Sequence, residues 1–235
     1  MRRAIVTGGA GAIGSAIASK LHADGFEIVI THLGQQQQAE QLAAQLGINI
    51  TIVESDTSDA SAVEKLHHDY PADILVHCAG ITGDAAIWKQ DVEQFDAVHA
   101  VSLRGAWLQT RHASSNMRQN KFGRIIYIGS INGSRGKFGQ TAYASAKAGL
   151  HGLMKSAAKE LGSRNITVNI IEPGWIDTPM TLALDDKYRD AALAESLVNE
   201  LGTPQDIAAS VAFLCSDSAK QITANIIRVD GGQII

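Results

Sequence analysis

Three polar residues in the second half of the chain have types and spacing suited to proton transfer. Ser130 follows a short β-branched segment, Tyr143 lies thirteen positions later, and Lys147 lies four positions beyond Tyr143. A spacing of four residues places Tyr143 and Lys147 on one face of a helix. A nearby ammonium favours a phenolate and lowers the tyrosine pKa from about 10, toward values useful near neutrality. The three residues therefore indicate a general acid or base, with Ser130 hydrogen-bonded to the reacting oxygen.

A glycine-rich turn near the N-terminus indicates a second function, the binding of a nucleotide phosphate. The segment Thr7–Gly14 contains four glycines and lies between a predicted strand and a predicted helix. Glycines let backbone N–H groups approach a pyrophosphate closely, and the helix N-terminus adds partial positive charge. The position after a strand and before a helix favours dinucleotide binding over an ordinary glycine turn.

The composition is that of one globular domain, which we take to span residues 1–235. The chain is 45% hydrophobic with a formal net charge of −4, so it can form a full core and has no overall attraction for nucleic acid or an anionic membrane. No apolar run reaches the roughly 18 residues of a membrane helix. Cys78 and Cys215 show no metal-ligand spacing, so we expect no metal site and a reduced, cytoplasmic location.

Apolar strand-like segments alternate with helix-like segments along the chain. Strands are predicted at 3–7, 26–31, 48–53, 73–77, 124–129, 166–171 and 225–229. Seven apolar strands separated by helices predict a parallel sheet covered on both faces, the doubly wound (Rossmann-type) α/β fold. One long helical region is predicted from Asp91 to about Asn120. The less regular region 178–199 is predicted to form a substrate lid.

Together these features resemble the short-chain dehydrogenase/reductase family over essentially the whole chain, and within it most closely the 3-oxoacyl-acyl-carrier-protein reductase branch. The ordered set of motifs is specific to the family, whereas the substrate branch is less clearly marked. The matching segments are Thr7–Gly14, Asp56-Thr57, Ile74–Gly80, Gly129-Ser130, Tyr143–Gly149, Thr167–Asn169, Pro173-Gly174 and Val229–Gly232.

The resemblance implies a role for each matched position. Tyr143 would donate a proton in carbonyl reduction, Ser130 would bind the substrate oxygen, and Lys147 would hold the nucleotide ribose. Hydride passes directly between nicotinamide and substrate, so no metal is implied. The implied nucleotide-binding residues are Thr7, Gly8, Gly11, Ile13, Gly14, Asp56, Thr57, Ala79, Gly80, Tyr143, Lys147, Pro173, Gly174, Ile176 and Thr178.

Two departures from the family pattern lie near the predicted site. Ser102 stands where the family has a catalytic asparagine that helps hold a water in the proton relay. We expect Ser102 to substitute in part, at some cost in rate. His77 and Cys78 replace two asparagines at a strand end, and we expect a satisfied core histidine and a small buried hydrophobe.

The end of the second strand bears on the choice of nucleotide. It reads Thr31-His32, without the carboxylate that binds the ribose 2′-hydroxyl in NAD enzymes. The arginines common in NADP enzymes are also missing, since Gly11 and Leu33 occupy their places. His32 could contribute a donor to a 2′-phosphate. We therefore expect NADP as the cofactor, with NAD as the alternative.

Substrate and partners follow mainly from the resemblance. The predicted lid mixes leucines with charged residues, and an apolar mouth suits an acyl chain. For a substrate carried by acyl carrier protein, the resemblance places Lys121, Arg124 and Arg164 near the docking surface. Helices beginning near Asp91 and Thr141 resemble those of the family's tetramer interface, so a homotetramer is expected.

Three functions are consistent with the sequence. The leading one is an NADP-dependent ketoreductase acting on a 3-oxoacyl thioester. The second is an NAD(P)-dependent dehydrogenase of a small or cyclic secondary alcohol, and the third is a non-catalytic nucleotide-sensing protein. The intact Ser130, Tyr143 and Lys147 argue against the third function, because a protein without catalysis has no physical need for all three.

Overall fold

The computed structural model describes residues 1–182 and 186–235. They form a seven-stranded sheet in the order β3-β2-β1-β4-β5-β6-β7, in which every neighbouring pair is parallel. This arrangement confirms the predicted doubly wound fold. The strands are β1 (Arg3–Thr7), β2 (Glu27–His32), β3 (Ile50–Glu54), β4 (Ile74–His77), β5 (Gly123–Ile128), β6 (Ile166–Pro173) and β7 (Ile226–Val229).

Helices cover both faces of the sheet. The region predicted as one long helix after β4 is divided, because a π-helical turn (Ala100–Arg104) separates α4 from α5. The helices in the described part of the chain are α1 (Ala12–Ala23), α2 (Gln36–Leu46), α3 (Ala60–Asp69), α4 (Val92–His99), α5 (Gly105–Asn120), α6 (Ile131–Arg135), α7 (Thr141–Leu161), α8 (Pro179–Leu182), α9 (Asp186–Glu195) and α10 (Pro204–Cys215). No described helix is long and apolar enough to cross a membrane.

The core lies on both sides of the sheet, which explains why the strands are apolar throughout rather than alternating. Ala4, Ile5 and Val6 of β1 are all fully buried. Side chains from α1 and α10 pack over one face, and side chains from α5 and α7 pack over the other. Each fully buried aliphatic side chain contributes roughly 1.5–3 kcal/mol.

The carboxyl ends of the strands bring together the segments that the sequence singles out. The glycine turn follows β1, residues 79–80 follow β4, and Ser130 follows β5. β1 and β4 are neighbours at the point where the strand order reverses, which is where nucleotides bind in such sheets. α8 and α9 lie in the predicted lid, and residues 183–185 of that lid lie outside the described residues.

Candidate active site

Helix α7 carries Tyr143 and Lys147 on one face, as their spacing predicts. Nζ of Lys147 lies 5.6 Å from the centroid of the Tyr143 ring and donates a 2.7 Å hydrogen bond to the carbonyl oxygen of Ile128. Only 3% of Lys147 is exposed. Ser130 lies beside Tyr143, where it favours the phenolate, and its Oγ accepts from the backbone N–H of Asn132 at 3.2 Å. The structure therefore brings the three predicted residues together at the end of β5.

Burial sets the proton affinity of both ionisable groups. It raises the pKa of Tyr143, against the opposing effect of the Ser130 hydrogen bond. It also lowers the pKa of Lys147 to about 8. The net shift is upward because desolvation outweighs the other influences on the phenol, and Nζ of Lys147 is directed at the carbonyl of Ile128. A phenol with a raised pKa stays protonated at neutral pH, which suits a proton donor.

Ser102 lies in the π-helical turn, directly beside this group. Its side chain is fully buried, and its Oγ has no hydrogen-bond partner among the described residues. A Cβ placed on Gly80 would lie 3.3 Å from Nζ of Lys147 and 3.5 Å from Oγ of Ser102. Ser102, Lys147 and the Gly80 backbone therefore converge, as the resemblance implies.

The turn after β1 requires glycine at the positions where its backbone segments approach each other most closely. Gly8 has a φ of 65°, in the left-handed region, and a Cβ on Gly14 would collide with the carbonyl oxygen of Gly8. The N–H of Gly11 closes the turn by donating to the same oxygen at 3.1 Å, and Ile13 packs against the core. This tight turn before α1 fits a pyrophosphate at the helix N-terminus.

The loops after β4 and β6 lie beside the turn. Oγ1 of Thr7 accepts from the backbone N–H of Ala79 at 3.1 Å, which ties β1 to a segment predicted to bind the nucleotide. Gly174 follows Pro173 at the end of β6, and its N–H donates to Val229 at 3.0 Å. Ile176 is buried. The hydroxyls of Thr178 and Thr181 are 3.1 Å apart.

Two of the predicted nucleotide-binding residues, Asp56 and Thr57, already have protein partners. Oδ1 of Asp56 accepts from both the N–H and the hydroxyl of Ser58, each at 2.8 Å. Oγ1 of Thr57 accepts from Nε2 of Gln109 at 3.2 Å, and Thr57 is buried. These bonds hold the loop after β3 in place, so it can present its backbone to an adenine ring.

A carboxylate that the sequence patterns did not indicate lies beside the end of β2. Nδ1 of His32 accepts from the N–H of Gln35 at 3.3 Å, and its buried Nε2 has no partner in the described residues. Glu54, at the end of β3, is paired in register with His32 and accepts from the N–H of Gly34 at 3.3 Å. Pairing the ends of the second and third strands would have revealed Glu54.

A polar network beside Ser130 was also not predicted. Nδ2 of Asn132 donates to Oε1 of Gln140 at 3.0 Å, and Nε2 of Gln140 donates to Asp84 at 2.8 Å. Asp84 also raises the pKa of Tyr143 electrostatically. The network joins α6 and the loop before α7 to the loop after β4. These residues form no motif in the sequence, and only the fold brings them together.

The basic residues predicted near the mouth lie elsewhere. Arg124 is the second residue of β5, six residues before Ser130, which corresponds to about 20 Å along the strand. Lys121 and Arg164 precede β5 and β6 at the same edge, opposite the site. Arg124 is also buried, donating to the carbonyl of Gly123 at 2.9 Å. The expectation that these residues flank the mouth of their own chain's site is therefore wrong.

The predicted lid is attached to the site by charged contacts. Arg135, at the end of the helix that follows Ser130, pairs with Glu195 of α9 at 2.7 Å. Arg189 of α9 lies 3.5 Å from Asp177. Both pairs join α9 to segments at the carboxyl edge of the sheet.

A doubly wound sheet, a glycine turn after β1 and a serine–tyrosine–lysine group at the end of β5 define an oxidoreductase that uses a nicotinamide nucleotide. A family model described as enoyl-(acyl carrier protein) reductase matches residues 8–233. The chain belongs to the short-chain dehydrogenase/reductase family. It is accordingly an NAD(P)-dependent oxidoreductase acting on CH–OH groups.

Individual relatives match almost the whole chain. The chain is 39% identical to the 3-oxoacyl-[acyl-carrier-protein] reductase MabA of Mycobacterium tuberculosis, over 98% of this chain and 92% of the relative. It is also 39% identical to an acetoacetyl-CoA reductase of Allochromatium vinosum, with 98% of each chain covered. A solved structure assigned as a gluconate dehydrogenase of Agrobacterium tumefaciens has a TM-score of 0.92 at 26% identity, over 99% of this chain and 95% of the other.

Proposed function

We propose that this protein is a ketoreductase that reduces the 3-oxo group of an acyl thioester, linked to acyl carrier protein or to coenzyme A. The observation that carries the proposal is the convergence of Ser130, Tyr143 and Lys147 at the end of β5, beside the glycine turn. Relatives named as 3-oxoacyl-carrier and acetoacetyl-CoA reductases support the thioester class.

In the proposed reaction, the substrate oxygen accepts hydrogen bonds from the hydroxyls of Ser130 and Tyr143. These donors stabilise the negative charge that develops on the oxygen as the carbon is reduced. The nicotinamide, when bound, supplies the hydride. Tyr143 gives its proton to the oxygen, and the Lys147 ammonium stabilises the phenolate that remains.

The proton lost from Tyr143 must be replaced from solvent, and we propose Ser102 as a link in that relay. Its buried hydroxyl has unused hydrogen-bonding capacity and lies beside Lys147. A hydroxyl is shorter than the amide of an asparagine, so it holds a relay water less firmly.

An assay of NADPH and NADH oxidation against 3-oxoacyl thioesters and small ketones tests the function. We expect kcat/KM for thioesters to exceed that for small ketones by at least about tenfold. Preferred oxidation of small secondary alcohols would favour a dehydrogenase, which the structural likeness to a gluconate dehydrogenase supports. Nucleotide binding without turnover would favour a nucleotide-sensing protein.

We propose NADP as the nucleotide, because β2 ends at His32 without a carboxylate that would repel a 2′-phosphate. The observation that favours NAD is Glu54, whose carboxylate is held on the loop after β2 by the N–H of Gly34. A kcat/KM for NADPH above that for NADH supports NADP, and the reverse order assigns NAD.

Replacing Glu54 with glutamine is expected to raise kcat/KM for NADPH about fivefold and to leave NADH within about twofold, because a negative charge near the 2′-phosphate is removed. Steady-state kinetics with both nucleotides measure the change. The control is Glu64→Gln, on the exposed side of α3. Equal changes in kcat/KM for NADPH and NADH would show that Glu54 does not interact with the group at the ribose 2′-position.

We propose acyl carrier protein as a partner and the cytoplasm as the location, where two free cysteines stay reduced. Lys121 and Arg164 are exposed at the edge of the sheet opposite their own site. Carrier docking at these residues would therefore serve the site of a neighbouring chain in an oligomer.

We propose that the protein is a homotetramer that buries the outer face of α4, α5 and α7. A groove of about 480 Å³ on this face is lined by Leu103, Trp107 and Leu153, and Trp107 is 47% exposed. Apolar grooves of this kind are typical of subunit interfaces. Light scattering is expected to give the mass of four chains, and a single-chain mass at micromolar concentration would contradict the proposal.

A further inference from the structure

His77 is a buried histidine whose contacts are not those of an ordinary core residue. It ends β4, is fully buried, and has its Nδ1 3.1 Å from Oγ1 of Thr7. Its other ring nitrogen, Nε2, makes no hydrogen bond of good geometry within the described residues. The expectation of a satisfied core histidine therefore holds for one side of the ring only.

The bonds around Thr7 determine which ring nitrogen carries the proton. Oγ1 of Thr7 accepts from the backbone N–H groups of both Cys78 and Ala79, each at 3.1 Å. A hydroxyl oxygen has two acceptor positions and one proton. Because both acceptor positions are used, the Thr7 proton is directed at Nδ1 of His77. Nδ1 is then an acceptor, and Nε2 carries the ring proton.

The ring of His77 lies beside the π-helical turn, and with Nδ1 bonded to Thr7 the protonated Nε2 is the nitrogen left for the turn. The backbone of Ser102 and Val101 is close enough to favour a proton on the ring, although burial and the nearby Lys147 charge lower the pKa of His77 to about 3. The imidazole is therefore neutral and offers one N–H to the turn. A π-turn displaces backbone carbonyls from the regular helical ladder, so they need partners from outside the helix.

We propose that His77 is a positioning residue: its Nε2–H braces the π-helical turn from β4 and so holds Ser102 against Lys147. Oγ of Ser102 makes no hydrogen bond in the described residues, so the proposed brace comes from the strand. Through Thr7, the same ring connects the relay to the phosphate-binding turn. The proposal rests on the proposed ketoreductase function, because it concerns the return of a proton to Tyr143.

A double-mutant cycle tests the brace. His77→Asn keeps an acceptor near Thr7 but does not reach the turn, and we expect kcat to fall about tenfold with KM values within about twofold. Ser102→Asn alone also lowers kcat, because the larger side chain overpacks against the imidazole. The double variant, in which an amide reaches across from the helix, recovers kcat to within about threefold of the unmodified protein. If the loss of kcat in the double variant equals the product of the two single-variant losses, the proposal is overturned.

Two further variants separate the brace from the hydroxyl and from general stability. Ser102→Ala removes the hydroxyl without adding volume, and we expect it to lower kcat without rescue by His77→Asn. His67→Asn makes the same change at another buried histidine, on α3, where Nε2 lies 2.7 Å from Oε1 of Gln109. It is expected to lower the melting temperature with kcat unchanged. If His77→Asn behaves like His67→Asn, the role of His77 is structural only.

Nitrogen-15 NMR of the unmodified protein gives a result that does not depend on the variants folding. We expect the His77 ring to remain neutral with Nε2 protonated from about pH 5 to 8, where an unperturbed histidine titrates. A proton on Nδ1 would overturn the proposal. If the unmodified protein reduces no ketone, the proposed function fails. The His77 tautomer would still show whether Nε2 carries the proton that the brace requires.

Discussion

Replacing Tyr143 with phenylalanine is expected to lower kcat about 10³-fold and to leave nucleotide affinity within about twofold. The change removes only the phenolic hydroxyl, and general acid catalysis typically contributes about 10²–10⁴-fold. The ring remains packed beside Lys147, so the site keeps its shape. Single-turnover oxidation of the nucleotide with a 3-oxoacyl thioester measures the rate, and fluorescence titration measures nucleotide affinity.

Tyr127→Phe is a matched control for this prediction. Tyr127 is fully buried in β5, three residues before Ser130, and its hydroxyl lies 2.6 Å from Oγ1 of Thr110. Removing this hydroxyl is expected to cost about 1 kcal/mol of stability and to leave kcat within about twofold. Similar losses of kcat in Tyr143→Phe and Tyr127→Phe would mean that Tyr143 supports the fold rather than the chemistry.

Replacing Lys147 with methionine is expected to lower kcat/KM about 10²- to 10³-fold. The change removes the charge that stabilises the Tyr143 phenolate and leaves the carbonyl of Ile128 without its 2.7 Å hydrogen bond. Steady-state kinetics from about pH 6 to 10 measure both the loss and its pH dependence.

The sign of the pH dependence follows from the burial of Lys147. Burial lowers its pKa to about 8, so the ammonium is present below that pH and is lost as the pH rises through it. Activity of the unmodified protein should fall above about pH 8, and the residual activity of Lys147→Met should show no such fall. Lys155→Met, on the exposed side of α7, is the control and should keep the fall. A fall that persists in Lys147→Met would assign it to another group.

The doubly wound fold and the common location of the candidate site residues could be predicted from the sequence, because both depend on local patterns. Apolar strands alternate with helices, and the spacing of Tyr143 and Lys147 fixes their common face whatever lies around them. The glycine turn is equally local, since Gly8 and Gly14 meet within one turn of chain.

Features that depend on contacts between distant segments could not be predicted. The π-helical turn interrupts a sequence that reads as continuous helix, and the turn lies against His77 of a separate strand. Glu54 approaches the loop after β2 only through the pairing of β2 with β3. The pKa of Tyr143 reflects burial by the whole fold, which outweighs the electrostatic effect inferred from the spacing of Lys147.

The central claim is that Tyr143 donates the proton in the reduction of a 3-oxoacyl thioester. The most direct measurement follows nucleotide consumption and 3-hydroxyacyl thioester formation together, with acetoacetyl-CoA at neutral pH, for the unmodified protein and for Tyr143→Phe. We expect the unmodified protein to form one hydroxyacyl product for each nucleotide oxidised, and Tyr143→Phe to do so about 10³-fold more slowly. Absence of product with the unmodified protein, or equal rates for the two proteins, would contradict the claim.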